Sequence, residues 1–365
     1  MSIWTPVFFI VGIAALVIGA ESLVRGAARI AARTGLTPVV IGLTVVAFGT
    51  SAPELAVSLG ASWRGETDLA VGNVVGSNIA NILLVLGISA TVGGGLIVAQ
   101  RIVRIDVPIM VALSVLVFVL GLDNRLGRWE GILFVALLVV YITWTVVSSR
   151  RSTRAEVKSE YEEALSVEKL RESSVLADAG FVVLGLILLV VGSQALVEAA
   201  TDIARALDVS ELVIGLTVVA IGTSLPEVAT SVLAAIRGQR DLAVGNAIGS
   251  NLFNILAVLG ITAAVSPNAL EVPQGALTLD IPVMIAVAIA CLPMFANGYA
   301  LLRWEGTLFL GFYAAYLLWL VLDAADHAIK NEYAIGVVGF LLPLSVITLI
   351  VIAVRGKRDP ISLAP

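Results

Sequence analysis

The chain has 365 residues, 59% of them hydrophobic and 13% charged, with a mean hydropathy of +1.03. No soluble domain needs that much apolar surface to build one core, so composition argues against a soluble enzyme or a nucleic-acid binder and for a protein whose partner is the lipid bilayer. The net charge of −5 is uninformative, because topology follows where Lys and Arg lie and not their sum.

An apolar run crosses a bilayer as a helix once it reaches about 20 residues. Eleven such runs follow one another, near 4–32, 38–63, 70–95, 103–121, 129–149, 175–204, 211–236, 243–265, 277–297, 304–323 and 333–354. The first lacks a basic leader region and continues into a repeated unit, so it reads as a span and not as a cleavable signal. Glu21, and Gln194 at the matching place in the sixth run, lie toward the cytoplasmic end, where water reaches them. With the N-terminus outside, 17 basic residues fall on cytoplasmic ends and five on the other side, so a multi-pass cell-membrane protein with a cytoplasmic C-terminus is expected.

The second run carries GTSAPE. Pro53 removes a backbone donor, so the helix should break there and leave the Gly49 carbonyl, a hard oxygen ligand, without its usual partner. Glu54 follows at membrane depth, where an acid costs about 2.5–3.5 kcal/mol to insert. Ala47, Thr50, Ser51 and Glu54 share one helical face. In the third run Asn73, Ser77 and Asn81 recur at every fourth residue, a polar stripe unfavourable against lipid and expected to face the break. Gly72 and Gly76 would permit the close approach this needs, while Asn73 and Asn78, and Asn246 and Asn251 in the later copy of the motif, read as capping or packing groups. The fourth and fifth runs open on Asp106-Val107-Pro108, read as an N-cap, and on Trp129-Glu130-Gly131, with an acid favoured by the helix dipole.

After a polar linker at 150–173 the pattern returns: residues 41–88 align without gaps on 214–261, with 33 identities in 48 positions. The second copy supplies Gly222, Pro226 and Glu227, the face Ala220, Thr223 and Ser224, and the stripe Asn246, Ser250 and Asn254 with Gly245 and Gly249. Asp280-Ile281-Pro282 and Trp304-Glu305-Gly306 extend the match outward. Each unit holds five runs, and an odd number of crossings sends the second copy in from the opposite side. The fold class expected is an all-α polytopic membrane protein with two inverted five-helix repeats, 1–149 and 174–325, forming a ten-helix core. Residues 326–365 add one extra C-terminal transmembrane helix and a cytoplasmic tail. Cys291 reads as a small core residue, and His327, in the loop before the last run, is not read as a pH switch.

The two copies offer carboxylates, hydroxyls, amide oxygens and backbone carbonyls, with no His or Cys in the motifs. Zinc, copper and iron fit such a set poorly, whereas calcium, which takes about 6–8 oxygens, and sodium fit it well. Two glutamates also neutralise one divalent ion.

GTSAPE with GNVVGSNIANIL, and GTSLPE with GNAIGSNLFNIL, closely resemble the α-repeats of the calcium/cation antiporter superfamily, in particular the sodium/calcium exchangers and their prokaryotic homologues. The α-repeats would span 38–95 and 211–265. The resemblance implies that the second, third, seventh and eighth helices form the ion-binding core, with the first and sixth sliding across it to alternate access. It further implies that Glu54 and Glu227 bind both calcium and sodium. Thr50, Ser51, Ser77, Thr223, Ser224 and Ser250, the carbonyls of Ala47 and Ala220, and Asn81 would add ligands. At Asn254 several relatives carry an aspartate, so this site has two central carboxylates and potassium dependence is not expected. The resulting expectation is an antiporter that exports calcium against sodium, electrogenically if three sodium ions replace one calcium, with no cofactor. A proton/calcium antiporter is the alternative, and a passive cation channel is the reading from another class.

Overall fold

The computed structural model describes residues 4–34, 36–151, 175–207 and 220–324. The eleventh run, His327, all but the start of the linker and the first part of the seventh run lie outside the described residues.

The elements are helices, in the order the apolar runs predict. Helix α1 is Thr5–Thr34, and α2 breaks at Ser51 into α2a, Pro38–Thr50, and α2b, Ala52–Trp63, bent by 41°. Then come α3, Thr67–Val92, α4, Ile102–Asp123, α5, Arg128–Arg151, and α6, Val175–Ala206. The second half continues with α7a, Ala220–Thr223, α7b, Leu225–Ile236, α8, Arg240–Val265, α9, Ala276–Ala296, and α10, Arg303–Ala324. Among the described residues eight helices are long and apolar enough to cross a bilayer singly, and the bent α2 pair makes a ninth.

Local chemistry explains the helix ends. Thr37 accepts the Val40 N–H at 3.4 Å ahead of Pro38 at the start of α2a. Glu130 reaches back to the Gly127 N–H at 3.0 Å and Glu305 to the Leu302 N–H at 2.7 Å, closing the first turns of α5 and α10. The reading of Asp106 and Asp280 as N-caps is corrected. Both have helical dihedrals, and neither makes a side-chain cap, because a five-residue π-helical stretch starts each helix upstream, at Ile102 and Ala276. Asp106 instead accepts the Tyr141 hydroxyl at 3.0 Å and pairs with Arg101 at 3.4 Å, while Asp280 accepts the Tyr316 hydroxyl at 2.8 Å. These acids tie α4 to α5 and α9 to α10.

Helices α1 and α6 lie antiparallel along a seam of glycines. A Cβ on Gly12 would meet Gly192 O at 3.0 Å, and one on Gly185 would meet the Leu23 amide nitrogen at 2.6 Å, so only glycine allows this separation. Asp178 closes one end with Arg33 at 2.8 Å, and Thr5 donates to Asp202 at 2.8 Å at the other. At the centre α8 is buried without interruption from Leu242 to Gly260. Its Gly245 and Gly249 lie against α2a: a Cβ there would meet Val39 O at 2.9 Å and Leu43 Cα at 2.7 Å. For Gly72 and Gly76 nothing lies within 4 Å among the described residues.

Two short antiparallel ribbons join the halves. Strand β1, Leu96–Ile97, pairs with β4, Ala300–Leu301, with Leu96 opposite Leu301. Strand β2, Arg125–Leu126, pairs with β3, Leu270–Glu271, with Arg125 opposite Glu271. Helices α1, α5 and α6 turn Ile10, Val139, Val140 and Val183 outward, an apolar exterior suited to lipid.

Candidate functional site

The two breaks bring the acids inside. Ser51 and Ser224 each leave the helical conformation, at ψ 4° and 3°, and Pro53 and Pro226 restart the helix at α2b and α7b. Glu54 and Glu227 then stand in the first turns of those helices, fully buried. The two carboxylates interact electrostatically, and the Thr50 and Ser51 hydroxyls of one half lie near the Glu227 carboxylate of the other without closing a hydrogen bond to it.

The stripes on α3 and α8 face this centre, as their spacing predicts. Thr50 Oγ1 lies 3.2 Å from Asn246 Oδ1 and 3.3 Å from Ser250 Oγ, so the break in α2 meets the stripe of α8 directly. Ser77, Asn81, Ser250 and Asn254 are buried, and Thr223 is half-buried. Asn81 and Asn254 each open a π-helical stretch, Asn81–Leu86 and Asn254–Leu259. That irregularity, frequent at functional sites, has no signal in the sequence. These stretches pack on the glutamate-bearing helices of the opposite half, Asn81–Leu86 on α7b and Asn254–Leu259 on α2b.

The carbonyls divide differently from expectation. The Gly222 carbonyl, released by Pro226, accepts the Ser193 hydroxyl of α6 at 2.7 Å, which occupies one of its two lone pairs. The Ala47 carbonyl takes the Ser51 N–H at 3.0 Å and retains its second lone pair. Ala220 lies at the start of α7a.

Buried polar atoms without partners gather at the centre, though others lie outside it. Both carboxylate oxygens of Glu54 and of Glu227, the Ser51 and Ser224 hydroxyls, and both amide atoms of Asn81 and Asn254 are buried without a hydrogen-bond partner among the described residues. Native interiors satisfy almost all such atoms, and an unpaired buried carboxylate is among the most costly of all groups. Grouped oxygens of this kind suit a hard cation.

The family model described as "Sodium/calcium exchanger protein" matches residues 4–147 and 178–322, so each half of the chain matches. The chain belongs to the sodium/calcium exchanger family. It is similar to CaxA of Alkalimonas amylolytica, 40% identical over 289 residues, 79% of this chain and 88% of that one. Similarity to sodium/calcium exchanger MaX1 of Methanosarcina acetivorans is 33% over 340 residues, covering 85% and 96%. A solved structure of the sodium-calcium exchanger NCX_Mj, soaked with 10 mM Na+ and zero Ca2+, superposes with a TM-score of 0.74 at 31% identity, over 87% of this chain and 99% of that one. A member of this exchanger family is a multi-pass membrane transporter and not an enzyme.

Of the two roles read for Asn73 and Asn246, capping is corrected, while packing between helices is what they do. The N-cap positions of α3 and α8 are Glu66 and Gln239, neither of which makes a side-chain cap. Asn73 Nδ2 donates to the Glu54 backbone carbonyl at 3.1 Å and to Ser58 Oγ at 2.9 Å, and Asn246 Nδ2 donates to Ser231 Oγ at 2.9 Å. The signal was present as a serine one turn after each glutamate in both copies, Ser58 and Ser231. Outside the centre, Glu21 is the hydrated group its position implied, paired with Arg25 and, at 2.7 Å, with Arg237 at the end of α7b.

Proposed function

We propose that the chain is a secondary active antiporter that exchanges sodium for calcium by alternating access, normally extruding calcium. One observation carries this reading: Glu54 and Glu227 are buried together and, among the described residues, none of their carboxylate oxygens has a hydrogen-bond partner, so their charge calls for a cation. The ligand set is Glu54, Glu227, Thr50, Thr223, Ser51, Ser224, Ser77, Ser250, Asn81 and Asn254, with the carbonyls of Ala47 and Ala220. Two carboxylates balance one calcium, and exchange for three sodium ions makes transport electrogenic. The scaffold is two inverted five-helix units, 1–149 and 174–325, about a cytoplasmic linker at 150–173, with the N-terminus outside. Residues 326–365 add the eleventh helix and a cytoplasmic tail.

A second reading is favoured by Asn81 and Asn254, which leave only two acids at the centre. Two protons neutralise two carboxylates as completely as one calcium does, so proton/calcium antiport is the alternative. Calcium-45 uptake into sodium-loaded proteoliposomes separates the two. Uptake that follows the sodium gradient supports the first reading, and uptake that ignores sodium but follows an imposed pH gradient supports the second.

A further inference from the structure

The Thr50 hydroxyl has one proton and several oxygen neighbours. Asn246 Oδ1 lies at 3.2 Å, Ser250 Oγ at 3.3 Å and the Ala47 carbonyl at 3.4 Å, and the Glu227 carboxylate lies on the site side. Where that proton goes decides what the site can hold. Given to Glu227, it draws carboxylate electron density away from a cation. Given to an acceptor behind Thr50, it leaves both the hydroxyl oxygen and the carboxylate facing the ion.

The Ala47 carbonyl already receives the Ser51 N–H at 3.0 Å and is the more distant acceptor. Asn246 is nearest, fully buried, and held from both ends: its Oδ1 faces Thr50 and its Nδ2 donates to Ser231 at 2.9 Å. The amide orientation is supported by the matching residue of the first half. There Asn73 Nδ2 donates to the Glu54 backbone carbonyl, which can only accept, and to Ser58, which itself donates to the Ala70 carbonyl at 3.5 Å. In both copies the amide nitrogen turns toward the glutamate-bearing helix, and in the second the oxygen is thereby turned to Thr50.

We propose that Asn246 is a positioning residue of the ion site: it accepts the Thr50 hydrogen bond, keeps that hydroxyl from donating to Glu227, and so leaves Thr50 as a cation ligand beside the carboxylate. This deepens the reading of Glu54 and Glu227 as an ion site and rests on it. Asn246 touches no ion itself. It joins α8 to the α2 break and, through Ser231, to the turn after Glu227.

The test is calcium-45 uptake by proteoliposomes loaded with whichever counter-ion drives transport, with kcat and KM measured separately. Asn246→Leu, which keeps the volume but removes the acceptor, raises the calcium KM roughly three- to tenfold, the worth of one lost hydrogen bond. Its kcat stays within about twofold. Ser231→Ala, which frees the amide to rotate, moves KM the same way by less. Thr50→Val raises KM too, and Asn246→Leu combined with Thr50→Val is no worse than Thr50→Val alone, because both act through one hydroxyl. A parental KM in Asn246→Leu, a fall in kcat at constant KM, or effects that multiply in the double variant overturn the proposal. If Asn246→Leu does not insert, the same cycle is run with Ser231→Ala, and additivity there overturns it. Glu227→Gln is measured alongside. Calcium uptake surviving in that variant overturns the ion site itself, whereas its loss beside a parental KM in Asn246→Leu overturns only the role of Asn246.

Discussion

The Ser193 hydroxyl of α6 donates to the Gly222 carbonyl at 2.7 Å, closing the backbone gap that Pro226 opens in α7. In the first copy Ala20 stands in the place of Ser193 and offers no hydroxyl to the break before Pro53. The two breaks are therefore alike in backbone and unlike in how a neighbouring helix holds them.

Ser193→Ala tests that link. It leaves a buried carbonyl without its partner, at a cost of about 1–3 kcal/mol, so the melting temperature in detergent falls by several degrees. Ser193 is not among the proposed ligands, so the calcium KM is expected to stay at the parental value while turnover changes as α6 loses its hold on α7. An unchanged melting temperature would show that the bond contributes nothing.

Glu54→Gln and Glu227→Gln each remove half of the charge that balances calcium and keep the side-chain volume. Exchange is expected to be lost in both, with the protein folded and inserted. Because an unpaired buried charge is removed, the ion-free melting temperature should equal or exceed that of the parent. The stabilisation that calcium gives the parent, about 2.7 kcal/mol at a hundredfold excess over Kd, should vanish. A thermal-shift titration with calcium, read beside the transport assay, decides the matter.

Gly185→Ala tests the α1–α6 seam. The added methyl would stand 2.6 Å from the Leu23 amide nitrogen and 2.8 Å from the Gly19 carbonyl, both backbone atoms, so the helices must move apart. Overpacking of this kind costs about 1–3 kcal/mol. Gly180→Ala, with nothing within 4 Å of the new methyl among the described residues, is the matched control and should melt with the parent.

Asn254→Asp adds a third acid to the centre. In the proposed site calcium and two carboxylates sum to zero, so calcium self-exchange should be insensitive to membrane potential. With the aspartate the loaded site carries one negative charge, worth about 2.3 kcal/mol per 100 mV across the full field. Self-exchange of calcium-45 in vesicles clamped at different diffusion potentials should become voltage-dependent in the variant alone.

Much of this was legible in the chain itself. Span positions followed from unbroken apolar runs, because a bilayer of fixed thickness imposes a minimum length that a soluble core does not. The α2 break was legible from Pro53, whose missing N–H acts on its own helix. That the α8 stripe turns inward followed from spacing, since lipid offers Asn246, Ser250 and Asn254 no partner. What could not be read were events between helices. Asp106 looked like a cap because Pro108 follows it, yet Tyr141, 35 residues on, claims its carboxylate. The Gly222 carbonyl looked open because Pro226 frees it, yet Ser193 on another helix occupies one of its lone pairs.

The sequence by itself determined the apolar spans, the two copies of the motif, and the oxygen-bearing side chains that the motifs carry in place of His and Cys. Each is a property of composition or of short-range spacing. Only the tertiary structure decided which half supplies what to the other: Thr50 of α2 to the stripe of α8, Asn81 and its π-helical stretch to α7b, and Asn254 to α2b. It also assigned donors and acceptors, turning Asn246 toward Thr50 and Ser193 toward Gly222. Hydrogen-bond direction depends on atoms about 3 Å apart, and residues this distant in the chain reach that separation only once the helices are packed.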